Sequence, residues 1–498
     1  MMQKVERSME KESFSLPNPL VAAIPVVILI SLLVCSIIMF GSDSLEGGSQ
    51  IALILSTAVC VGISMLVYRM PWSVFESQLS ETFANISVTL FILLAVGMVA
   101  GSWMISGVVP TIIYYGVQIL SPQFFLICAC VICAVVSLLS GSSWTTIATI
   151  GVALLGIGDA LGVDKAWTAG AIISGAYFGD KMSPLSDTTI LASSVTGTDL
   201  FEHIRYMMYT TVPTFIITLV IFFIAGMGNR NDAAIHVAEY SYGLSHTFNI
   251  SLWTLIVPVL TGILIARRIP SLITLFFSSI LAGIVALLLQ PHILCEVSGD
   301  AGGDSFYSMF RGLLMTYYGS TAIDTGNAGL NELVSTGGMA GMLNTTWLII
   351  CAMLFGSAMM ASKMIISITR VIIRLVNSCF SLVSSTVGTC IFLNMSTGDQ
   401  FISIVLSAEI FKDAYKKRGF ESRLLSRTTE DGATVTSVLI PWTTCGMTQS
   451  TVLGVPTLMY MPYCFFNLIS PLMSMLVAAI GWKIKKLPVS EGETDSIE

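Results

Sequence analysis

The sequence predicts an all-α polytopic membrane protein built from inverted-topology repeats, with two re-entrant hairpins and broken helices. The prediction rests on an apolar composition, on recurring apolar runs of spanning length, and on polar breaks that return at a fixed offset. Of the 498 residues, 54% are hydrophobic and 11% charged, where a soluble domain carries roughly a quarter charged residues. Mean hydropathy is +0.83. The clearest runs are Leu20–Phe40, Ile51–Tyr68, Ile86–Ile105, Met207–Met227, Ser271–Gln290 and Pro456–Gly481. Runs of about 18 residues or more can cross a hydrocarbon core of roughly 30 Å. Met1–Pro19 is polar and charged, and the first run ends without a small-residue cleavage site, so the first span is expected to be retained.

The net charge of -7 says less than its distribution, because Lys and Arg concentrate in cytoplasmic loops. Lys4, Arg7 and Lys11 precede the first span, whereas Asp43 and Glu46 follow it without a base. Arg69, Arg205, Arg267-Arg268, Lys363/Arg370/Arg374, Lys412–Arg427 and Lys483/Lys485/Lys486 mark further cytoplasmic segments. Asn229–Ile250 and Pro291–Thr345 are poor in bases and are expected outside, with Asp324 read as a loop cap. Both termini then lie in the cytoplasm of a bacterial cell bounded by its inner membrane. The resulting division is 1–19 as N-terminal tail, 20–85 as N-terminal spans and 86–228 as repeat A. Residues 229–345 are linking spans and external loops, 346–482 the inverted repeat B, and 483–498 the C-terminal tail. His203, His236, His246 and His292 read as solvated loop histidines. The eleven cysteines lie mostly in apolar runs, where Cys behaves as a small hydrophobe, so neither a disulfide framework nor a metal site is expected.

Repeats come from matching positions. Gly101-Ser102 and Gly356-Ser357 lie 255 residues apart (356 − 101), as do Ser142 and Thr397 (397 − 142). No Lys or Arg occurs between Arg69 and Lys165. Two apolar segments, Phe124–Leu139 and Thr145–Gly158, nevertheless lie there, around the polar break Ser140–Trp144. Cys379–Leu393 and Phe401–Phe411 flank a similar break, Asn394–Gln400, with bases on both sides. A segment pair that starts and ends on one side is a re-entrant hairpin. The first is expected to open outside and the second inside, the inverted repeat of a secondary carrier.

Each hairpin precedes an interrupted span. Ala166–Ser194 contains Gly179–Thr189, and Ser426–Leu453 contains Thr428–Gly432 and Pro441–Gly446. Backbone groups freed by Gly and Pro cannot stay unpaired in lipid, so such breaks line protein cavities. Ionisable groups at membrane depth cost roughly 2.5–3.5 kcal/mol or more and are functional candidates.

The run GAYFGDKMSPLSDTT (Gly175–Thr189) resembles the signature of NhaC-type sodium/proton antiporters. GSSWTTIATIG, TGDQFISIVL and LSRTTEDGATVTSVLIPWTTCG resemble the same family, over roughly Ile86 to Pro471. One position departs: Ile190 follows SDTT where the family pattern has Asn. The resemblance implies an ion-transporter-superfamily fold and exchange of Na⁺ for H⁺ by alternating access. The sequence shows no His-rich metal cluster, phosphate-binding loop or nucleophile–base pair, so neither a cofactor nor enzymatic chemistry is expected. Relatives of this kind also include malate/lactate exchangers and amino-acid carriers, so an organic anion or amino acid stays open as cargo, as does a homodimer. The lipid bilayer, Na⁺ and H⁺ are the expected partners, and nucleic acid is not. The expected ion or substrate site comprises Ser142, Ser143, Asp180, Lys181, Ser183, Ser186, Asp187, Thr188, Thr397, Asp399, Glu430 and Asp431. Asp180 and Asp187 come first as Na⁺ ligands, because a carboxylate that takes either cation gives exchange by competition. Lys181 is expected either to neutralise Asp180 or Asp187 or to hold a substrate carboxylate.

Overall fold

The computed structural model describes residues 16–40, 47–228, 233–267, 269–299, 305–374 and 376–486. Most of both predicted tails, with Lys4, Arg7 and Lys11, lies outside these residues. So do Asp43, Glu46, Arg268, Asp300 and Asp304, and the side chain of His236. Among the described residues nine helices are long and apolar enough to cross a membrane, or up to eleven if each of two bent pairs counts as one span.

Helices α1 (Pro19–Phe40), α2 (Gly48–Leu66) and α3 (Trp72–Ile105) are followed by α4 (Val108–Ile119). Hairpin 1 consists of α5 (Pro122–Ser140) and α6 (Ser143–Ala160), the latter loosened by a π turn at Ile147–Gly151. The first broken span is α7 (Lys165–Met182) and α8 (Asp187–Thr196), and α9 (Leu200–Met227) follows. A linking region holds α10 (Ala233–Thr247), α11 (Ile256–Ala266) and α12 (Ser271–Leu289), then shorter helices. Beyond it come α13 (Leu343–Ala361) and α14 (Met364–Arg374). Hairpin 2 is α15 (Cys379–Thr397) and α16 (Gln400–Lys417). The second broken span is α17 (Ser422–Thr429), a π turn at Glu430–Thr434 running on to Ser437, and α18 (Thr444–Leu453); α19 (Phe465–Ile480) is last.

The repeat is most regular at its helix ends. Gly141 closes α5 with φ 68°, and Gly398 closes α15 with φ 69°, a left-handed backbone that glycine adopts without a Cβ penalty. They are 257 residues apart (398 − 141). The same 257 separates the caps Ser121 and Ser378, Ser142 and Asp399, and Ser186 and Thr443, and the left-handed Gly197 and Gly454. This corrects the offset of 255: by structural role Ser142 pairs with Asp399 rather than Thr397, since both cap the second arm of their hairpin.

The hairpins open in opposite directions, as the 28 residues of α9 make visible, about 42 Å of helix at 1.5 Å per residue. Near its C-terminal end a Cβ on Gly226 would fall 2.2 Å from the Gln123 carbonyl, at the start of hairpin 1. Near its N-terminal end Tyr206 packs with Val376, Leu382, Tyr415 and Phe420, at the base of hairpin 2. The inverted-repeat fold class is therefore borne out.

Four readings change. The hairpin arms run 19 and 18 residues in each hairpin, longer than their apolar cores, because the helices extend to their polar caps. Asn229–Ile250 holds α10 rather than only loop, and the chain turns by 90° between Val237–Thr247 and Leu252–Ala266. Pro456–Gly481 is bent by 57° between Thr457–Tyr463 and Phe465–Ile480, just after a 3-10 turn, Met461–Tyr463, that carries Pro462, a residue without an amide hydrogen for a continuing helix. His203 is fully buried in the first turn of α9, with Nδ1 2.5 Å from Ser426 Oγ. It lies inside because the Asp199 cap starts α9 four residues earlier and turns this face onto α17. Asp324 is a loop cap as read: its Oδ1 accepts from Gly326 N and Asn331 Nδ2, both at 3.0 Å. Those two donors hold its carboxyl below the usual carboxylate range.

Candidate ion-binding site

Small residues place the site. Gly175 and Gly179 on α7 let its backbone touch α5; Cβ atoms there would fall 2.0 Å from the Cys130 carbonyl and 2.3 Å from that of Ala134. Such close small-residue packing is characteristic of membrane helices. It also brings the end of α7 to the tip of hairpin 1. There Ser143 donates to Asp180 Oδ2 twice, from its amide at 3.1 Å and its hydroxyl at 2.7 Å. Ser142 accepts from Thr145 N at 3.2 Å and starts α6. At the other tip Asp399 Oδ1 accepts from Phe401 N at 2.8 Å and Ile402 N at 3.0 Å.

Between the tips lies a cavity of about 650 Å³. Ser142, Asp180, Ser186, Asp187, Thr188 and Asp399 line it, so half of the twelve expected residues share one space. Gln400, Thr145, Trp144 and Glu81 line it as well and were missed. The first three adjoin residues already singled out; Glu81 carried no signal beyond a charge within a long helix.

The other six stand apart. Ser143 sits behind Asp180. Ser183 accepts from Leu185 N at 3.2 Å and shapes the break. Thr397 donates to the Leu393 carbonyl at 2.8 Å and packs behind its tip, where a Cβ on Gly356 would fall 2.8 Å from its carbonyl. Glu430 lies one hydroxyl back from the cavity: Ser186 and Thr188 hydroxyls are 3.0 Å apart, and Thr188 donates to Glu430 Oε1 at 3.0 Å. Its Oε2 is buried and has no hydrogen-bond partner among the described residues. Lys181 donates to Asp431 and to Ser470 Oγ at 3.2 Å, away from both Asp180 and Asp187. That corrects its expected role: the last turn of α7 points Lys181 toward the π turn after α17 and toward α19, away from the hairpin tip that its neighbour Asp180 meets.

Lys181 and Asp431 are both fully buried and join one repeat to the other. Asp431 also accepts from Thr210 at 3.0 Å and Ser470 at 3.1 Å. Arg427, read as part of a cytoplasmic basic loop, is instead wholly buried one turn before Asp431, 4.0 Å from Oδ2 and 4.7 Å from the Tyr206 ring. The guanidinium can lie at depth because a carboxylate and an aromatic face replace part of its hydration. Ile190, the departure from the family pattern, does not line the cavity.

The profile of the Na⁺/H⁺ antiporter family matches residues 175–482, a stretch that holds the first broken span from Gly175 on, hairpin 2, the second broken span and most of the cavity carboxylates. The chain belongs to this family. The Na⁺/H⁺ antiporter NhaC of Alkalihalophilus pseudofirmus is 36% identical over 418 residues, 84% of this chain and 87% of that one. The NhaC of Bacillus subtilis is 34% identical over 433 residues, 86% and 92% of the two chains. A malate-2H⁺/Na⁺-lactate antiporter of Bacillus subtilis is 32% identical over 425 residues, 84% and 87%. The family assignment agrees with the resemblance carried by Gly175–Thr189, and the antiporter is a multi-pass membrane protein.

Proposed function

We propose that this antiporter exchanges Na⁺ for H⁺ across the cytoplasmic membrane by alternating access, with the ion held between the two hairpin tips. The carrying observation is the convergence of Ser142, Asp180, Asp187 and Asp399, from both repeats, on one cavity at the helix breaks. Oxygens at such breaks can replace the hydration shell of Na⁺. A carboxylate that binds either Na⁺ or a proton couples the two flows without further machinery. The cavity reaches Glu81 and Ser271, close to the ends of α3 and α12 that follow Arg69 and Arg267; we assign this face to the cytoplasm. The test is Na⁺-driven proton movement in proteoliposomes free of organic solutes. A wild-type protein that moves protons only when malate, lactate or an amino acid is added would overturn pure cation exchange. The volume of the cavity, far above the needs of one Na⁺, favours coupled transport of an organic solute as the second reading.

The sidedness follows from the same charge map. In a cysteine-free background, single cysteines at Pro122 and Asp159 are expected to react with an impermeant maleimide from outside, and those at Asn377 and Lys416 from inside. Labelling of Pro122 and Asn377 from one face would defeat the assignment.

A further inference from the structure

We propose that the cavity between the hairpin tips also binds small organic monocations in competition with Na⁺, the ammonium at the carboxylates and the apolar body against the hydrocarbon wall. This rests on reading the cavity as the Na⁺ site and adds the class of a second ligand.

Charge selects the sign of that ligand. Four carboxylates, Glu81, Asp180, Asp187 and Asp399, line the cavity, and no Lys, Arg or His is among the described residues lining it. Lys181 is committed to Asp431 and Ser470 and offers nothing to an anion. A carboxylate ligand would meet like charges alone, whereas an ammonium meets partners, of which the buried Asp180 and Asp399 are the least screened by water. Asp180 is 6% exposed, and both bonds from Ser143 fall on Oδ2, so Oδ1 takes neither.

Size and wall select an organic body. A volume of about 650 Å³ lies within the roughly 300–1,000 Å³ of small-molecule pockets. Ile92, Leu191, Val405 and Leu406 give the cavity an apolar side. Most telling are Trp144 and Phe401. Each stands two residues beyond its tip cap, Ser142 or Asp399, they are 257 residues apart (401 − 144), and both line the cavity. The inverted repeat thus supplies one aromatic ring from each tip beside the carboxylates. Rings next to carboxylates recognise ammonium groups through cation–π attraction, a pairing that Na⁺ coordination by oxygens does not need.

The experiment uses the full chain, purified, with ²²Na⁺ bound in a scintillation proximity assay. Binding without organic solute reads the ion site by itself. Tetramethylammonium, 2-phenylethylamine and lactate are then titrated against it. Competitive displacement by both amines and none by lactate is expected. Trp144→Leu and Phe401→Leu should each raise the amine inhibition constant about tenfold more than they raise the Na⁺ half-saturation, the loss of about 1.4 kcal/mol of ring contact. Bound ²²Na⁺ that neither amine displaces, that lactate displaces equally, or whose displacement is indifferent to both rings would overturn the proposal and leave the ion site standing. Absence of ²²Na⁺ binding in the wild type would overturn the ion site, and the proposal with it.

Discussion

Lys181→Met is expected to destabilise the protein by about 3–5 kcal/mol, the usual cost of stranding one charge of a buried pair. Asp431, fully buried, would keep only the hydroxyls of Thr210 and Ser470 and the Arg427 nitrogen at 4.0 Å. The lower end of the range is expected, because Arg427 can move closer. Thermal unfolding in detergent, followed by loss of monodisperse protein, reads the change. The double variant Lys181→Met/Asp431→Leu separates charge from shape: with both charges gone it should recover most of the lost stability, since apolar replacement of a buried pair is often neutral or better. A single variant as stable as wild type would show that the pair does not hold the repeats together. Because the pair joins α7 to the π turn after α17, transport in the double variant should remain impaired even where stability returns.

Asp180→Asn is expected to weaken Na⁺ binding by roughly 10–100-fold, the loss of about 1.5–3 kcal/mol of charge-assisted contact, and to abolish Na⁺-driven proton flux. Asn keeps one oxygen for Ser143, so folding should be little affected. The pH dependence gives the sharper readout. In the wild type, protons and Na⁺ compete for the carboxylate, so the Na⁺ half-saturation rises as pH falls. With the charge removed no proton competes, and residual Na⁺ binding should be flat with pH. Asp187→Asn should give a weaker form of the same result, since Asp187 lines the cavity without a bond to either tip. Flux that survives Asn at both positions would move the proton to another group. Glu430, with its unpartnered oxygen one hydroxyl behind the cavity, then stands next.

Apolar runs, glycine-marked tips and polar breaks sufficed to read the fold class, because each is a local response to lipid. A backbone that leaves a helix in the membrane needs Gly, Pro or a capping oxygen at that point, and those residues are visible one at a time. The carboxylates Asp180, Asp187 and Asp399 were legible for the same reason: a charge inside an apolar run has few bland explanations. The family signature at Gly175–Thr189 was equally local.

Which buried charges face one another was not legible. Asp180 and Lys181 are adjacent in sequence yet part company, one to the Ser143 amide and the other to Asp431, 250 residues away. A helix turns neighbouring side chains by about 100°, so each partner depends on what packs on each face. His203 and Arg427 looked solvated because they follow polar loops; burial came from the contact between α9 and α17. The register of the repeat also required the structure, since Ser142 matches Asp399 by cap geometry and not by residue type. The sequence by itself determined a membrane carrier with inverted halves and acidic breaks, because the lipid constrains every residue separately. Only the tertiary structure decided which carboxylates share the cavity and which are neutralised elsewhere, because that choice depends on distances between helices remote in sequence.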